Sequence, residues 1–239
     1  MSSKTPLNIL EKLEEFINDF NALNNEHFSI DSIRIEFSKQ YKLSPLLELG
    51  NWSKIEKNNQ GILVKLKKRL LENEITSAYR LEKHNIYYYN KKDPTKSKYR
   101  NSELVIFGMK QYHKDPPPRE TINKILSILK DITTIDICVD IPYKPNLSKI
   151  KQLYTLTPFR TVKGLVTSTS YINNIDITMI DKIVIYNKQL KNSLNFKAWR
   201  VEAKIIIPNI KLLALPLYEF KELVNLMRDR TPLQIAKEI

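Results

Sequence analysis

Hydrophobic residues recur along the chain with two periods, one typical of helices and one typical of strands. Residues 5–24 place apolar side chains at helical spacing, opposite charged ones, which predicts an amphipathic first helix. Residues 29–37, SIDSIRIEF, alternate apolar and polar side chains and predict a first strand. Residues 119–132 predict a second helix, which Pro118 is well placed to open. Its predicted buried stripe comprises Ile122, Ile125, Leu126 and Leu129.

Alternation returns in residues 135–141, where every second side chain is apolar. Asp136, Cys138 and Asp140 therefore share one face of a predicted strand. An unpaired buried carboxylate is costly, so these two aspartates call for a divalent metal or for a neighbouring Arg or Lys. Cys138 lies within an apolar strand pattern and is predicted to be a small core residue.

Residues 183–207 predict a β-hairpin that carries a polar face. On alternating geometry, the first arm places a tyrosine among lysines and the second arm places an arginine, a glutamate and a lysine in a row. The members are Tyr186 with Lys182 and Lys188, and Arg200 with Glu202 and Lys204. This set of side chains suits a phosphodiester better than a core. The alternative is a half-solvated pair of strands with an ordinary cross-strand ion pair.

The remaining pattern sets the fold class. Two β-rich arms at 86–89 and 103–109 flank a basic insert, and the chain after Pro208 is predicted to be helical. We expect an α+β fold with a central, mainly antiparallel sheet, helices packed on one face, and peripheral N- and C-terminal helices. The predicted division is an N-terminal helix over 1–27, a core over 28–207 and a C-terminal helical segment over 208–239.

The chain is strongly basic, and this charge bears on the partners it can bind. Its 239 residues include 39 Lys and Arg against 26 Asp and Glu, a formal net charge of +13 and a pI near 9.6. Such a charge favours a polyanionic partner, with nucleic acid first and an anionic membrane surface second. The predicted phosphate-contacting residues outside the hairpin are Lys65, Lys67, Lys68, Arg69, Lys96, Lys98 and Arg100. A solvated helix face explains the first four of these equally well.

Several classes of protein are disfavoured by what the sequence lacks. One cysteine excludes an intrachain disulfide framework and a multi-cysteine zinc site. No GxGxxG or GxxxxGK[ST] motif occurs, which argues against a dinucleotide fold or a P-loop. No apolar run approaches the length of about 18 residues that a spanning helix needs, and the N-terminus has no signal-peptide order. We therefore expect a cytoplasmic protein with no membrane partner.

Three short motifs in order give the chain a resemblance. They are ThrIleAspIleCysValAsp at 134–140, Tyr186-Asn187-Lys188 and Arg200-Val201-Glu202. This series resembles the replication-initiation-factor family of rolling-circle initiators, which has an acidic strand, a Tyr-Asp-Lys-like segment and an Arg-x-Glu strand. That group takes in plasmid Rep proteins, related relaxases and, more distantly, filamentous-phage initiators. The resemblance spans roughly residues 29–207.

The resemblance implies a DNA strand-nicking enzyme. Tyr186 would attack the scissile phosphate, forming a bond to the 5′ phosphate and releasing a 3′ hydroxyl that can prime synthesis. Lys188 and Arg200 would assist as catalytic cations, and Lys182 and Lys204 would contact DNA. Asp136, Asp140 and Glu202 would hold Mg²⁺ or Mn²⁺ through oxygen. The implied partner is a single-stranded or supercoiled origin, and a host helicase is a further candidate.

The sequence also departs from the family pattern. Asn187 stands where the family commonly has Asp, and no acidic residue follows the lysine in QLKNSL. The His-x-His pair of the broader nicking superfamily is missing, since His27, His84 and His113 are scattered. Three alternatives stay open: a non-catalytic nucleic-acid-binding protein of a mobile element, a structural or partner-binding protein of such an element, and a metal-dependent nuclease without a covalent step. If Tyr186 is not the nucleophile, Tyr171, Tyr154 and Tyr112 are the next candidates.

Overall fold

The computed structural model describes residues 8–38, 45–56, 75–91, 101–112, 114–129, 131–161, 164–173, 175–207 and 210–229. The helices of this part of the chain include α1 (Ile9–Asn24), α2 (Arg119–Leu129), α3 (Ser148–Leu153), α4 (Lys188–Asn192) and α5 (Ala214–Arg228), with a 3₁₀ turn at Ile210–Leu212. The strands are β1 (Ser29–Ser38), β2 (Trp52–Lys54), β3 (Ile75–Leu81), β4 (Ile86–Lys91), β5 (Asn101–Phe107), β6 (Thr134–Ile141), β7 (Leu156–Arg160), β8 (Val166–Asn173), β9 (Ile180–Asn187) and β10 (Trp199–Ile206). The α+β class is confirmed.

The chain forms two compact units, the first comprising residues 1–14, 31–111 and 115–134. Its strands follow the order β2-β3-β4-β5-β1, and every neighbouring pair is antiparallel. A bidentate pair between Arg119 and Glu14 connects α2 to the start of α1, at 2.9 and 2.5 Å. One buried cluster lies on the sheet and consists of Ile75, Ala78, Tyr89, Val105 and Phe107.

The second unit comprises residues 15–30, 112–114 and 135–239. Its strands follow the order β6-β10-β9-β8-β7, with β10/β9, β9/β8 and β8/β7 antiparallel. One face of β6, β10 and β9 is apolar and buried, and α5 contacts β10. The buried members of that face are Ile135, Ile137, Val139, Ile141, Val201, Ala203, Ile205, Ile183 and Ile185. The polar residues of the same strands are therefore presented on the opposite face.

Most of the predicted elements are confirmed, and their bounds differ by a few residues. The four residues of the stripe on α2 are all buried, and Cys138 is a buried core residue with 1% exposure. The elements that were not predicted include β2, β3, β7 and α4. Of these, β3 lies at the end of a segment whose basic run indicates a helix, and α4 lies between the arms of the hairpin. The three-part division of the chain stays a prediction. Among the described helices, none is long and apolar enough to cross a membrane.

Candidate active site

The hairpin register places the polar residues of β9 and β10 side by side. Arg200 pairs with Tyr186, and Lys204 pairs with Lys182, in an antiparallel ladder. Directly paired residues share a face, so the polar face predicted for residues 183–207 is present. Because β6 lies next to β10 in the sheet, its polar residue Asp140 can reach the polar face that carries Arg200 and Tyr186. The side chains that meet there are called the cluster below.

An ion pair between Asp140 and Arg200 lies at the centre of the cluster. The guanidinium donates two hydrogen bonds, from Nε to Oδ1 at 2.6 Å and from Nη2 to Oδ2 at 2.7 Å. Arg200 is completely buried. Burial of the Asp140 carboxyl opposes ionisation, but the hydrogen bonds and charge of Arg200, with the charge of Lys188, outweigh it and lower the pKa of Asp140. This carboxylate is thus held in its charged form by cations.

Tyr112 packs on this ion pair from the segment that follows β5. Its hydroxyl donates to Asp140 Oδ2 at 2.8 Å, and the ammonium of Lys188 lies 4.4 Å from the centre of its ring. Burial, then the hydrogen bond to Asp140 and the charge of that carboxylate, raise the pKa of Tyr112 to about 12. Tyr112 is nevertheless 46% exposed. It is the solvent-accessible tyrosine of the cluster.

Tyr186 makes the second contact between a tyrosine and a carboxylate. Its hydroxyl donates to Glu202 Oε1 at 2.6 Å, diagonally across the β9/β10 pair. Arg200 Nη1 lies 4.0 Å from the same carboxylate oxygen, and Lys191 Nζ lies 3.8 Å from the centre of the Tyr186 ring. Tyr186 itself is 5% exposed. The cluster therefore combines two phenols and two carboxylates with three cations: Arg200, Lys188 and Lys191.

The start of α4 explains how Lys188 comes to point into this cluster. Asn187 caps the helix, since its side-chain oxygen accepts a hydrogen bond from the Leu190 amide at 2.9 Å. The amides of Lys188 and Gln189 both donate to the Ala198 carbonyl, at 2.8 and 3.0 Å. Lys188 is 1% exposed, with Nζ 3.8 Å from Asp140 Oδ2. Asp and Asn both cap helices through a side-chain oxygen, so Asn187 retains the capping capacity of the residue that the family pattern has there.

The predicted metal ligands do not form a cluster in the part of the chain that the structure describes. Asp136, Asp140 and Glu202 are not brought together as a group of three acidic side chains able to hold an ion. Both oxygens of Asp140 accept hydrogen bonds from Arg200 or Tyr112. A divalent cation there would lie beside a buried guanidinium and be repelled by it. The arrangement therefore does not fit a three-carboxylate metal site, and the assignment of Mg²⁺ or Mn²⁺ to these residues stays a prediction.

The predicted DNA-contacting residues divide into two sets. Lys182 is 6% exposed, and Lys204 donates to Asp181 at 2.8 Å. Both lysines lie on the polar face, four residue pairs along the ladder from Arg200. The other predicted residues lie outside the described residues: Lys65, Lys67, Lys68, Arg69, Lys96, Lys98 and Arg100.

Three members or neighbours of the cluster carry little signal in the sequence. Tyr112 is about 28 residues from Asp140 in the chain, and no periodic pattern marks it. Lys191 and Phe196 belong to the hairpin connection, where charged and apolar residues are ordinary. The Phe196 ring packs edge-on against Tyr112, with ring centres 5.6 Å apart and an interplanar angle of 82°. Only the fold brings these side chains to the polar face.

No family model matches the chain, and no curated protein matches it. Among solved structures, one that is similar to this chain is that of a rolling circle replication initiator protein from Geobacillus stearothermophilus, with a TM-score of 0.43 and 11% sequence identity. The alignment covers 78% of this chain and 77% of that chain. The function proposed below rests on the residues of the cluster.

Proposed function

We propose that this protein is a DNA-binding rolling-circle replication initiator that nicks one strand through Tyr186. The observation that carries the proposal is the short hydrogen bond from the Tyr186 hydroxyl to Glu202, beside Arg200. A phenol, a proton-accepting carboxylate and a buried cation meet there within a basic protein. They come from two of the motifs by which the sequence resembles such initiators, and the third motif supplies Asp140.

In the proposed reaction, the Tyr186 oxygen attacks the phosphorus and Glu202 takes the phenol proton. The bond from phosphorus to the 3′ oxygen breaks, and that oxygen leaves as a hydroxyl with a proton from water. The hydroxide left by that water takes the proton held by Glu202, which restores the carboxylate. The DNA strand that begins with the 5′ phosphate remains joined to Tyr186. Arg200 and Lys188 lie in a buried environment, where fixed positive charge stabilises the developing negative charge of the phosphate most strongly.

Because Tyr186 is buried, the proposed reaction requires Lys191 to move away from its ring. A DNA phosphate can reach a hydroxyl that is 5% exposed only after the group covering the ring moves. Lys191 is exposed and its ammonium lies over that ring, so it can leave the ring and pair with the incoming phosphate. The same movement uncovers the nucleophile and neutralises one charge of the substrate. Mg²⁺ or Mn²⁺, where bound, would supply further charge on the phosphate, and no step above depends on it.

A second function is favoured by one specific observation, the pairing of both carboxylates. Asp140 is held by Arg200, and Glu202 accepts from a buried tyrosine. A sheet that only presents cations and aromatics to DNA would have the same internal bonds. Such a protein would be a non-catalytic nucleic-acid-binding protein of a mobile element. A metal-dependent nuclease without a covalent step is the further alternative.

The test is covalent capture with end-labelled DNA. A pool of single-stranded oligonucleotides of random sequence is labelled at the 3′ end or at the 5′ end, incubated with the protein with Mg²⁺ or chelator, and resolved under denaturing conditions. The proposal expects labelled protein from the 3′-labelled pool and a shortened free strand from the 5′-labelled pool. Tyr186→Phe should bind DNA as well as wild type and form no adduct.

The control is Tyr154→Phe, which changes a tyrosine outside the cluster and should leave adduct formation unchanged. Adduct formation by Tyr186→Phe at the wild-type level would place the nucleophile elsewhere. Cleavage without labelled protein would indicate a nuclease that forms no covalent intermediate. A salt-dependent shift without cleavage would indicate a binding protein.

A further inference from the structure

Two exposed aromatic side chains lie at the rim of the cluster. Tyr112 and Phe196 are each 46% exposed, although their rings pack against one another. Folding normally removes such rings from water, because burying an aromatic side chain is strongly favourable. The pair instead leaves nearly half of each residue accessible. It forms an apolar surface directly beside the charged groups proposed to bind a phosphate.

The position of Tyr112 is fixed by its contacts with the charged residues of the cluster. The hydroxyl of Tyr112 is held by Asp140, and its ring lies 4.4 Å from the ammonium of Lys188. Asp140 is in turn held by Arg200, and the backbone of Lys188 is held at the start of α4 by its hydrogen bond to the Ala198 carbonyl. A ring tethered in this way is pre-organised, so little side-chain entropy is lost when a planar ligand stacks on it.

The charges around the pair indicate the kind of ligand. Lys191 and Lys197 are exposed in the hairpin connection that carries Phe196, and Lys114 is exposed two residues after Tyr112. Aromatic rings interleaved with cations are the arrangement with which proteins hold unpaired strands, since each base has a face that stacks and each nucleotide has a phosphate. Bases inside a duplex are already stacked on their neighbours and cannot use such a surface.

We infer that Tyr112 and Phe196 form a stacking site for an unpaired base next to the phosphate that the cluster binds. The inference rests on the proposed function and narrows its substrate to single-stranded or locally melted DNA. The pair acts by placing the strand, and the tether of Tyr112 to Asp140 aligns the stacked base with the charged groups. Phe196 contributes only stacking, because its side chain carries no polar group.

The experiment compares two strands of equal charge. One is an oligonucleotide of roughly 10 nucleotides, and the other has the same backbone with abasic tetrahydrofuran units. Binding of each is measured by fluorescence anisotropy for wild type, Phe196→Leu, Phe196→Trp and Tyr218→Leu. Tyr218 is a matched control: it is 49% exposed with Lys221 Nζ 5.9 Å from its ring, but it lies on α5, the helix that contacts β10.

Wild type should prefer the base-bearing strand, and Phe196→Leu should lower that preference roughly tenfold, the effect of losing one stacked base. Phe196→Trp should keep it, and Tyr218→Leu should leave it unchanged. An equal preference in wild type and Phe196→Leu would overturn the inference and leave the proposed function standing. Failure of wild type to bind either strand at moderate salt would overturn the proposed function itself.

Discussion

The ion pair at the centre of the cluster makes a quantitative prediction about stability. Asp140→Ala leaves Arg200, which is completely buried, without its bidentate partner, and also removes a carboxylate oxygen that lies 3.8 Å from Lys188 Nζ. Breaking a buried pair typically costs about 3–5 kcal/mol, because the remaining charge is neither hydrated nor neutralised. Glu202 lies 4.0 Å from Arg200 and offsets part of this cost. We therefore expect a loss of about 3 kcal/mol in the free energy of unfolding.

Strand β9 provides the matched control. Asp181→Ala breaks the pair with Lys204, whose side chains are 41% and 23% exposed. Exposed pairs contribute about 0–1 kcal/mol, so this variant should unfold close to wild type. Urea titrations followed by Trp fluorescence and by circular dichroism measure both differences at neutral pH. The reasoning would be refuted if Asp140→Ala cost no more than Asp181→Ala.

Three further predictions concern titration and DNA binding. Folding lowers the pKa of Asp140 below 3.8, so at pH values below about 3.8 the unfolded chain binds more protons at this residue than the folded chain does. The urea midpoint of the wild type should therefore fall as the pH drops below about 3.8, and the midpoint of Asp140→Asn should fall less. Burial and the hydrogen bond to Asp140 raise the pKa of Tyr112 to about 12, so its phenol ¹³C resonance should titrate near pH 12, and the stability it contributes should be lost as the pH rises from 10 to 12. Titration near pH 10 would contradict this environment of the Tyr112 hydroxyl. Lys191→Ala should reduce the slope of log affinity for DNA against log salt concentration by about one. Lys149→Ala, which removes a lysine paired with Asp229, should leave that slope unchanged. Equal slopes in the two variants would exclude a phosphate contact by Lys191.

Local pattern predicted much of the fold because hydrophobic periodicity depends on neighbouring residues alone. Apolar residues alternate without interruption along β6, and they recur at helical spacing along the buried stripe of α2, so the sequence predicted both elements. The strand β3 was not predicted, since the basic residues before it favour a helical interpretation over the whole segment. The helix α4 is only five residues long, and its capping by Asn187 becomes visible only in the structure.

The site was predictable in part, for a related reason. Alternation within two strands places Tyr186, Arg200 and Glu202 on one face, and their contacts follow from the register of a hairpin. The sequence required a partner for Asp140 but left open whether it was a metal or a cation, and the structure places Arg200 there. Tyr112 reaches the cluster through a long-range contact, which no local pattern encodes.

In the proposed reaction, Tyr186 is the residue joined to DNA. Trypsin cleaves after Lys182 and Lys188, so residues 183–188 form a peptide with a single tyrosine, whereas Tyr112 belongs to the peptide 111–114. The adduct captured from single-stranded DNA is digested with trypsin and nuclease and sequenced by mass spectrometry. We expect a nucleotide attached to the peptide 183–188. A nucleotide on the peptide 111–114, or on any other, would contradict it.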